Sequence, residues 1–192
     1  KWKGKTEDVQ ITEVKVLNEA GAETLGKPVG SYLTLEADRL LLPDEDFHSE
    51  VSDELANVLK ELAEHALGKN ENEEKEKSFL HSQPVILVAG LGNQSVTPDS
   101  LGPRTVNNLS VSQNETGLKA IAPGVMAQTG METARILSGI IREIKPDLVI
   151  SIDALAARSI RRLGTTIQLT DTGIHPGSGV GNHRHSLTKE TL

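Results

Sequence analysis

Four residues of this chain have the type and setting to do chemistry. They are Asp99 in "GLGNQSVTPDSLGP" (90–103), Asp153 at the end of "DLVISID" (147–153), and Asp171 and His175 in "TDTGIHPGSGVGN" (170–182). Carboxylates can give or take a proton during hydrolysis, and with a histidine they can ligate a metal. Asp153 follows a run of apolar and small residues and precedes "ALAA", so its carboxylate is expected in apolar surroundings. Burial of a charge there is costly unless it is paired or protonated. The plainer alternative is a buried aspartate satisfied by backbone amides. Asp99 stands at a strand-to-helix junction. If Thr97 caps and Pro98 is the first helical residue, Asp99 lies in the first turn; if Ser100 caps, Asp99 lies just before it. Either position is near the positive end of a helix, which favours the ionised form. A helix-start aspartate without chemistry fits the same pattern. His175 is the only histidine in a glycine-rich loop, where substrate contact, metal ligation and a structural role are all open.

The glycines invite a nucleotide reading that fails on spacing. Gly90-x-Gly92 would need a third glycine at position 95, where Ser95 stands, "GSGVGN" misses the spacing too, and there is no Walker A lysine. Glycines here would instead let the backbone turn sharply and approach a bound chain closely. Asp171-Thr172-Gly173 is the tripeptide that carries the catalytic carboxylate in pepsin-like and retroviral aspartic proteases. In those enzymes it sits in an all-β lobe and occurs twice. Here it occurs once, in an alternating α/β sequence, so Asp171 is expected at the rim of a site. The remaining histidines, His48, His65, His81, His183 and His185, read as helix-start, surface or tail residues.

These loops need elements to position them. "ITEVKVL" (11–17) and "SYLTLEA" (31–37) alternate in polarity as half-buried strands do, with "GKPVG" supplying a turn between them. Phe47, Val51, Leu55, Val58, Leu59 and Leu62 repeat at three and four residues, predicting a helix from Asp46 to Leu67 that ends at Gly68. "KNENEEKEK" (69–77) reads as a solvated charged linker. Beyond it the texture changes. "PVILVAG" (84–90) and "DLVISID" (147–153) are short apolar runs, the mark of strands buried on both faces. Between them, Thr129 and Glu132 have capping-box spacing ahead of an apolar stripe of Met131, Ala134, Leu137, Ile140, Ile141 and Ile144. "KAIAPG" (119–124) and "TTIQLTD" (165–171) read as further strands and "ALAARSIRRL" (154–163) as a short helix. Strands alternating with helices predict a three-layer αβα fold on a mostly parallel sheet. Residues 83–192 would be that core, and residues 1–82 an N-terminal β/α appendage. In such a sheet ligands gather beyond the carboxyl ends of the strands, where the three candidate segments arrive.

Composition narrows the classes. With 192 residues the chain suits one domain with an appendage. Its formal charge of −7 argues against a nucleic-acid or anionic-membrane surface. The four aromatics (one Trp, one Tyr, two Phe) offer no stacking platform for bases. Absence of cysteine excludes disulfides, thiolate catalysis and zinc-thiolate sites. No apolar run has the length of a membrane span. The pattern is that of a soluble, intracellular domain, and a start at Lys1 suggests a fragment or processed form.

"GLGNQSVTPDSLGP", "PGVMAQTGMETA", "KPDLVISIDALAARSI" and "TTIQLTDTGIHPGSGVGN" together resemble the germination proteases of spore-forming bacteria, and the resemblance extends back through "GAETLGKPVGSYLTLEA". It implies a cytoplasmic endopeptidase of the spore core, made as a zymogen and active as a homotetramer. Its substrates would be the small acid-soluble spore proteins, and its fold would be related to hydrogenase-maturation proteases. No cofactor, direct nucleic-acid contact or membrane contact is expected. The family's essential aspartates match Asp99 and Asp153 by motif. On this basis water held between the two would attack the amide, one carboxylate accepting a proton while the other donates. Close carboxylates cannot both ionise cheaply, so the pair should share a proton. Gly90, Gly92 and Asn93, with Asp171, His175 and Gly177, would hold the peptide. A metal-dependent peptidase using Asp99, Asp153 and His175 is the alternative, and a non-catalytic spore-protein binder a further one. Relative to the family, the connection "LSVSQNETGLKAIAPG" is short and the chain stops at "KETL", where members continue.

Overall fold

The computed structural model describes residues 8–68, 84–111, 117–157, 159–174, 186–188 and 191. The charged segment 69–77 lies outside these residues, as do His175 and Gly177. By contact the chain divides into two units, drawn from Lys1–Gly68 with Ala157–Thr172 and from Lys69–Ala156 with Gly173–Leu192.

In the first unit, β1 (Gln10–Val16) pairs antiparallel with β2 (Gly30–Glu36), and β2 pairs antiparallel with β6 (Thr166–Thr170). Ile11, Leu33 and Leu35 are buried, together with the flanking Val9 and Ala37. Against this face lies α2 (Glu45–Ala66), which buries Phe47, Val51 and Val58 at the helical spacing read from the sequence. Asp44 caps α2, its Oδ1 accepting from Phe47 N at 3.1 Å. The turn expected between β1 and β2 contains a helix as well, α1 (Glu19–Leu25), which begins where Asn18 Oδ1 accepts from Gly21 N and ends at Gly26. Seven residues are too few to show a period, so local capping was its only signal.

In the second unit, β3 (Ile86–Gly90) lies at the centre of a parallel sheet, flanked by β4 (Leu118–Ile121) and β5 (Leu148–Ile152). This is an α/β arrangement, and the antiparallel sheet makes the second of two. The helices α3 (Leu101–Asn107), α4 (Met126–Thr129) and α5 (Thr133–Ile144) lie between the strands in sequence. Ala89 and Leu91 pack with Leu137, Ala134 and Ile141 of α5. Gly90, one residue out of phase, faces α3 instead: a Cβ there would stand 2.2 Å from Gly102 O and 2.8 Å from Val106 Cγ2. Successive residues of a strand point to opposite faces, so α3 and α5 cover opposite faces of the sheet.

Three local expectations differ from this structure. The strand at 165–171, read as part of the parallel sheet, pairs with β2 in the antiparallel one. Its alternation suits either kind of sheet, and pairing is a non-local choice. The described residues of 154–163 form no α-helix; a 3-10 turn spans Ile160–Arg162. Leu155, Ile160 and Leu163 are all exposed, Ile160 at 91 %, so no buried face sustains a helix there. The helix α5 starts at Thr133, with Met131 exposed ahead of it. Thr129 does not cap it, because its Oγ1 accepts from Met131 N at 3.1 Å and closes a turn.

Candidate active site

The carboxyl edge of the parallel sheet is built by backbone contacts. Gly90 is in register with Ile152, and Leu91 N donates to Ile152 O at 2.8 Å. Asp153 is the next residue, half-buried, with Oδ1 accepting from Ala154 N at 2.9 Å. On the β3 side the chain turns at Gly92, whose φ of 112° lies in the left-handed region. A Cβ at Gly92 would stand 2.0 Å from Asp99 O, so only glycine lets the loop fold back onto Asp99. Asn93 N then donates both to Asp99 O and to Asp99 Oδ2, each at 2.9 Å. Between them Val96 N donates to Asn93 O, and Asp99 N to Val96 O, winding residues 93–99 into a closed loop.

Both sequence readings of the helix start contain part of the answer. Thr97–Asp99 is a 3-10 turn with Pro98 inside it, and Ser100 is the residue before α3. Ser100 is buried, but its Oγ donates to Thr97 O and caps nothing. At the second position of α3, Gly102 sits against the strand ends. A Cβ there would lie 2.4 Å from both Leu91 N and Leu91 O and 2.5 Å from Ile152 O. Asp99 precedes Gly102 by one helical turn and Asp153 follows Ile152 directly. The structure therefore delivers both aspartates to one edge of one sheet, through contacts too tight to admit a methyl group.

One participant carried no signal of its own in the sequence. Asn93 Oδ1 accepts from Ser95 N at 3.0 Å and from Gln128 Nε2 at 2.9 Å. Gln128 belongs to α4, so it ties the loop after β3 to the segment after β4. A lone exposed glutamine has no spacing to mark it.

Asp171 has its bonded partners in the first unit. At the end of β6, its Oδ1 accepts from Ser31 N at the start of β2 at 2.7 Å, and His65 Nδ1 lies 4.0 Å from its Oδ2. Thr172 Oγ1 donates to the Tyr32 hydroxyl at 3.2 Å, and that hydroxyl donates to Pro28 O. The Asp-Thr-Gly tripeptide thus fastens a sheet end. Among the described residues, no three acidic, histidine or cysteine side chains group to hold a metal, and His175 of the trio Asp99, Asp153 and His175 lies outside them. A cavity of ≈ 390 Å³ opens in the first unit beside Arg39 and Arg162 and contains neither Asp99 nor Asp153. Two of its arginines are paired with carboxylates: Arg39 with Asp8 and Asp44, Arg162 with Glu36.

The model of the germination protease family matches residues 2–192. The chain belongs to that family. It is 46 % identical to the germination protease of Caldanaerobacter subterraneus subsp. tengcongensis over 97 % of its length, covering 56 % of that protein. Against the Bacillus subtilis protein the identity is 45 % over 96 % of the chain and 50 % of the relative. For Clostridium acetobutylicum the figures are 42 %, 97 % and 57 %. The chain spans about half the length of the curated relatives it matches. Within the family segment, "GLGNQSVTPDSLGP" is the closed loop that holds Asp99, and "KPDLVISIDALAA" carries Asp153 at the end of the neighbouring strand β5. Among the described residues no helix is long and apolar enough to cross a membrane.

Proposed function

We propose that this chain carries the catalytic centre of an endopeptidase that degrades small acid-soluble spore proteins at germination, with water activated between Asp99 and Asp153. One observation supports this reading above the rest. The β3–β5 register and the seat of Gly102 on Leu91 and Ile152 bring the two aspartates to the same sheet edge. In the mechanism Asp99 is the base. Its carboxylate oxygen accepts a backbone N–H from Asn93, which fixes the orientation of the second oxygen toward water. Asp99 takes the proton as the water oxygen attacks the carbonyl carbon. Asp153, protonated, then gives its proton to the amide nitrogen as the C–N bond breaks, leaving a carboxylic acid and an amine. Gly90, Gly92 and Asn93 shape the edge along which the peptide runs, and His175 and Gly177 on the following loop contact it. The proposal includes a zymogen that matures to a homotetramer in the spore core, and an α/β core drawn from residues 83–192 without β6, which pairs with β2. That core is a three-layer fold of the hydrogenase-maturation-protease kind.

The test is cleavage of a small acid-soluble spore protein by the full-length protein, followed by intact mass with and without a chelator. Cleavage is expected to survive the chelator. Asp99→Asn and Asp153→Asn are each expected to lose at least about a hundredfold in rate while keeping the native circular dichroism spectrum. A fully active Asp153→Asn protein sinks the two-aspartate mechanism, and loss of activity with chelator transfers the chemistry to a metal.

A further inference from the structure

We infer that Gln128 is a positioning residue for the catalytic edge, acting on Asp99 through Asn93; the inference rests on the two-aspartate reading. The chain of contacts is short and continuous. Gln128 Nε2 donates to Asn93 Oδ1 at 2.9 Å, and Asn93 N donates to Asp99 Oδ2 at 2.9 Å. The Asn93 amide oxygen has a second donor, Ser95 N at 3.0 Å, from inside its own loop. Among the described residues, Gln128 is therefore what links it to a different strand connection, the one that leaves β4. On its other side, Gln128 Oε1 accepts from Val125 N at 3.5 Å, which sets the amide plane so that Nε2 points at Asn93. Val125 is buried, so the glutamine reaches outward from an anchored base.

The loop needs that outside support. Gln94, Ser95, Val96, Thr97 and Pro98 are all exposed, and the bonds that close residues 93–99 are bonds within the loop. Internal bonds fix the shape of a loop but leave it free to tilt about its two ends. The end at Asp99 is fixed by α3, seated through Gly102; the end at Asn93 follows Leu91, bonded to Ile152 O, and is held from outside the β3 connection by Gln128. With the glutamine removed, the Asn93 N–H moves and takes with it the carboxylate oxygen that it holds. A misplacement of about 1 Å at the reacting centre is enough to slow chemistry by about a hundredfold. The peptide would bind along the same edge, so affinity should change little. The predicted signature is a fall in kcat without a rise in KM, which marks loss of an interaction that matters only in the transition state.

The experiment uses the full-length protein and a small acid-soluble spore protein as substrate, with Asp99→Asn as the control for the underlying mechanism. Gln128→Met keeps the length of the side chain and removes both amide bonds. It is expected to lower kcat about tenfold or more, with KM within about twofold and the thermal midpoint unchanged. Gln128→Glu also removes the donor and serves as the second variant should the Met protein aggregate; the same loss in kcat is expected. Asn93→Ala should match the loss in kcat, with a rise in KM of its own because Asn93 also shapes the peptide's edge, and the kcat of the double variant Asn93→Ala/Gln128→Met should be no lower than that of Asn93→Ala alone, because both changes cut one chain of contacts. Multiplying losses in the double variant would overturn the inference, as would wild-type kcat in both Gln128 variants. A fully active Asp99→Asn control would instead overturn the mechanism on which the inference stands.

Discussion

One substitution, glycine to alanine, can be made at four positions that differ in a controlled way, and the structure sets a different outcome for each. At Gly139, inside α5, an added Cβ meets nothing within 4 Å and φ is ordinary. Alanine there should stabilise by about 0.5–1 kcal/mol, since it restricts the unfolded chain and suits a helix. At Gly130, which ends α4 with φ 71°, the Cβ again meets nothing, so only backbone strain applies, about 1–2 kcal/mol. At Gly102 the backbone is unstrained, but the Cβ would stand 2.4 Å from Leu91 N and 2.5 Å from Ile152 O. Those atoms are main chain and cannot swing aside, so α3 must lift, at an overpacking cost of about 1–3 kcal/mol. Gly92 combines both penalties, with φ 112° and a contact of 2.0 Å to Asp99 O, giving about 2–5 kcal/mol. With a urea m-value of about 2 kcal/mol per molar, that range moves the midpoint down by about 1–2.5 M. Urea melts followed by far-ultraviolet circular dichroism read all four variants. A Gly102→Ala or Gly92→Ala protein that melts at the wild-type midpoint would refute the close seating of α3 and the 91–99 loop. A destabilised Gly139→Ala protein would refute the view that position 139 faces open space.

Two further outcomes follow from the cores and caps. Leu137 is 0 % exposed and packs on Ala89 and Leu91, so Leu137→Ala should cost about 2–5 kcal/mol in the same melts; a change below 1 kcal/mol would mean α5 is not part of that core. Asp44 is held below its ordinary value of 3.8 by the Phe47 N–H that it accepts and then by Arg39. A depressed carboxylate contributes stability that is complete above its unfolded pKa and is lost as pH falls through the lower folded value. Asp44→Asn keeps a capping oxygen but cannot titrate, so its stability should fall less than that of the wild type as the pH drops below 3.8. Parallel acid melts of the two proteins would count against the assignment.

What the sequence shows of this molecule follows how local the cause is. Strands β1, β2, β3 and β5 and helix α2 were legible because each carries its period in its own residues: Leu33 and Leu35 alternate, and Phe47, Val51 and Val58 recur by the helical turn. The two aspartates were legible as strand-end and helix-start residues, and the family's motifs singled them out as a pair. Helix α1 was hidden by its length. Strand β6 was visible as a strand but not as the partner of β2, since the five-residue segment "TIQLT" alternates in the same way whichever edge it joins. Gln128 was invisible for a similar reason, because its role exists only once two strand connections lie side by side.

The case of Asp171 shows why a motif must be judged with its scaffold. Asp-Thr-Gly provides a carboxylate, a hydroxyl and a flexible residue in a row, and in this chain the first two bond to an adjacent strand. Asp171 accepts the Ser31 N–H, and Thr172 reaches the Tyr32 hydroxyl. Those bonds close the open end of an antiparallel pair, where unpaired main-chain groups need partners. Asp99 presents the reverse arrangement. Its local sequence is a plain helix-start pattern, yet one of its carboxylate oxygens is pinned by a backbone N–H inside a loop that only Gly92 allows to close. A carboxylate with one oxygen fixed can offer the other to water in a constant direction, whereas Asp171 has Oδ1 bonded to Ser31 N and Oδ2 within 4.0 Å of His65 Nδ1. The physical difference between the two aspartates lies in the backbone around them: the conspicuous tripeptide fastens a sheet end, and the inconspicuous Asp99 is the one proposed as the base.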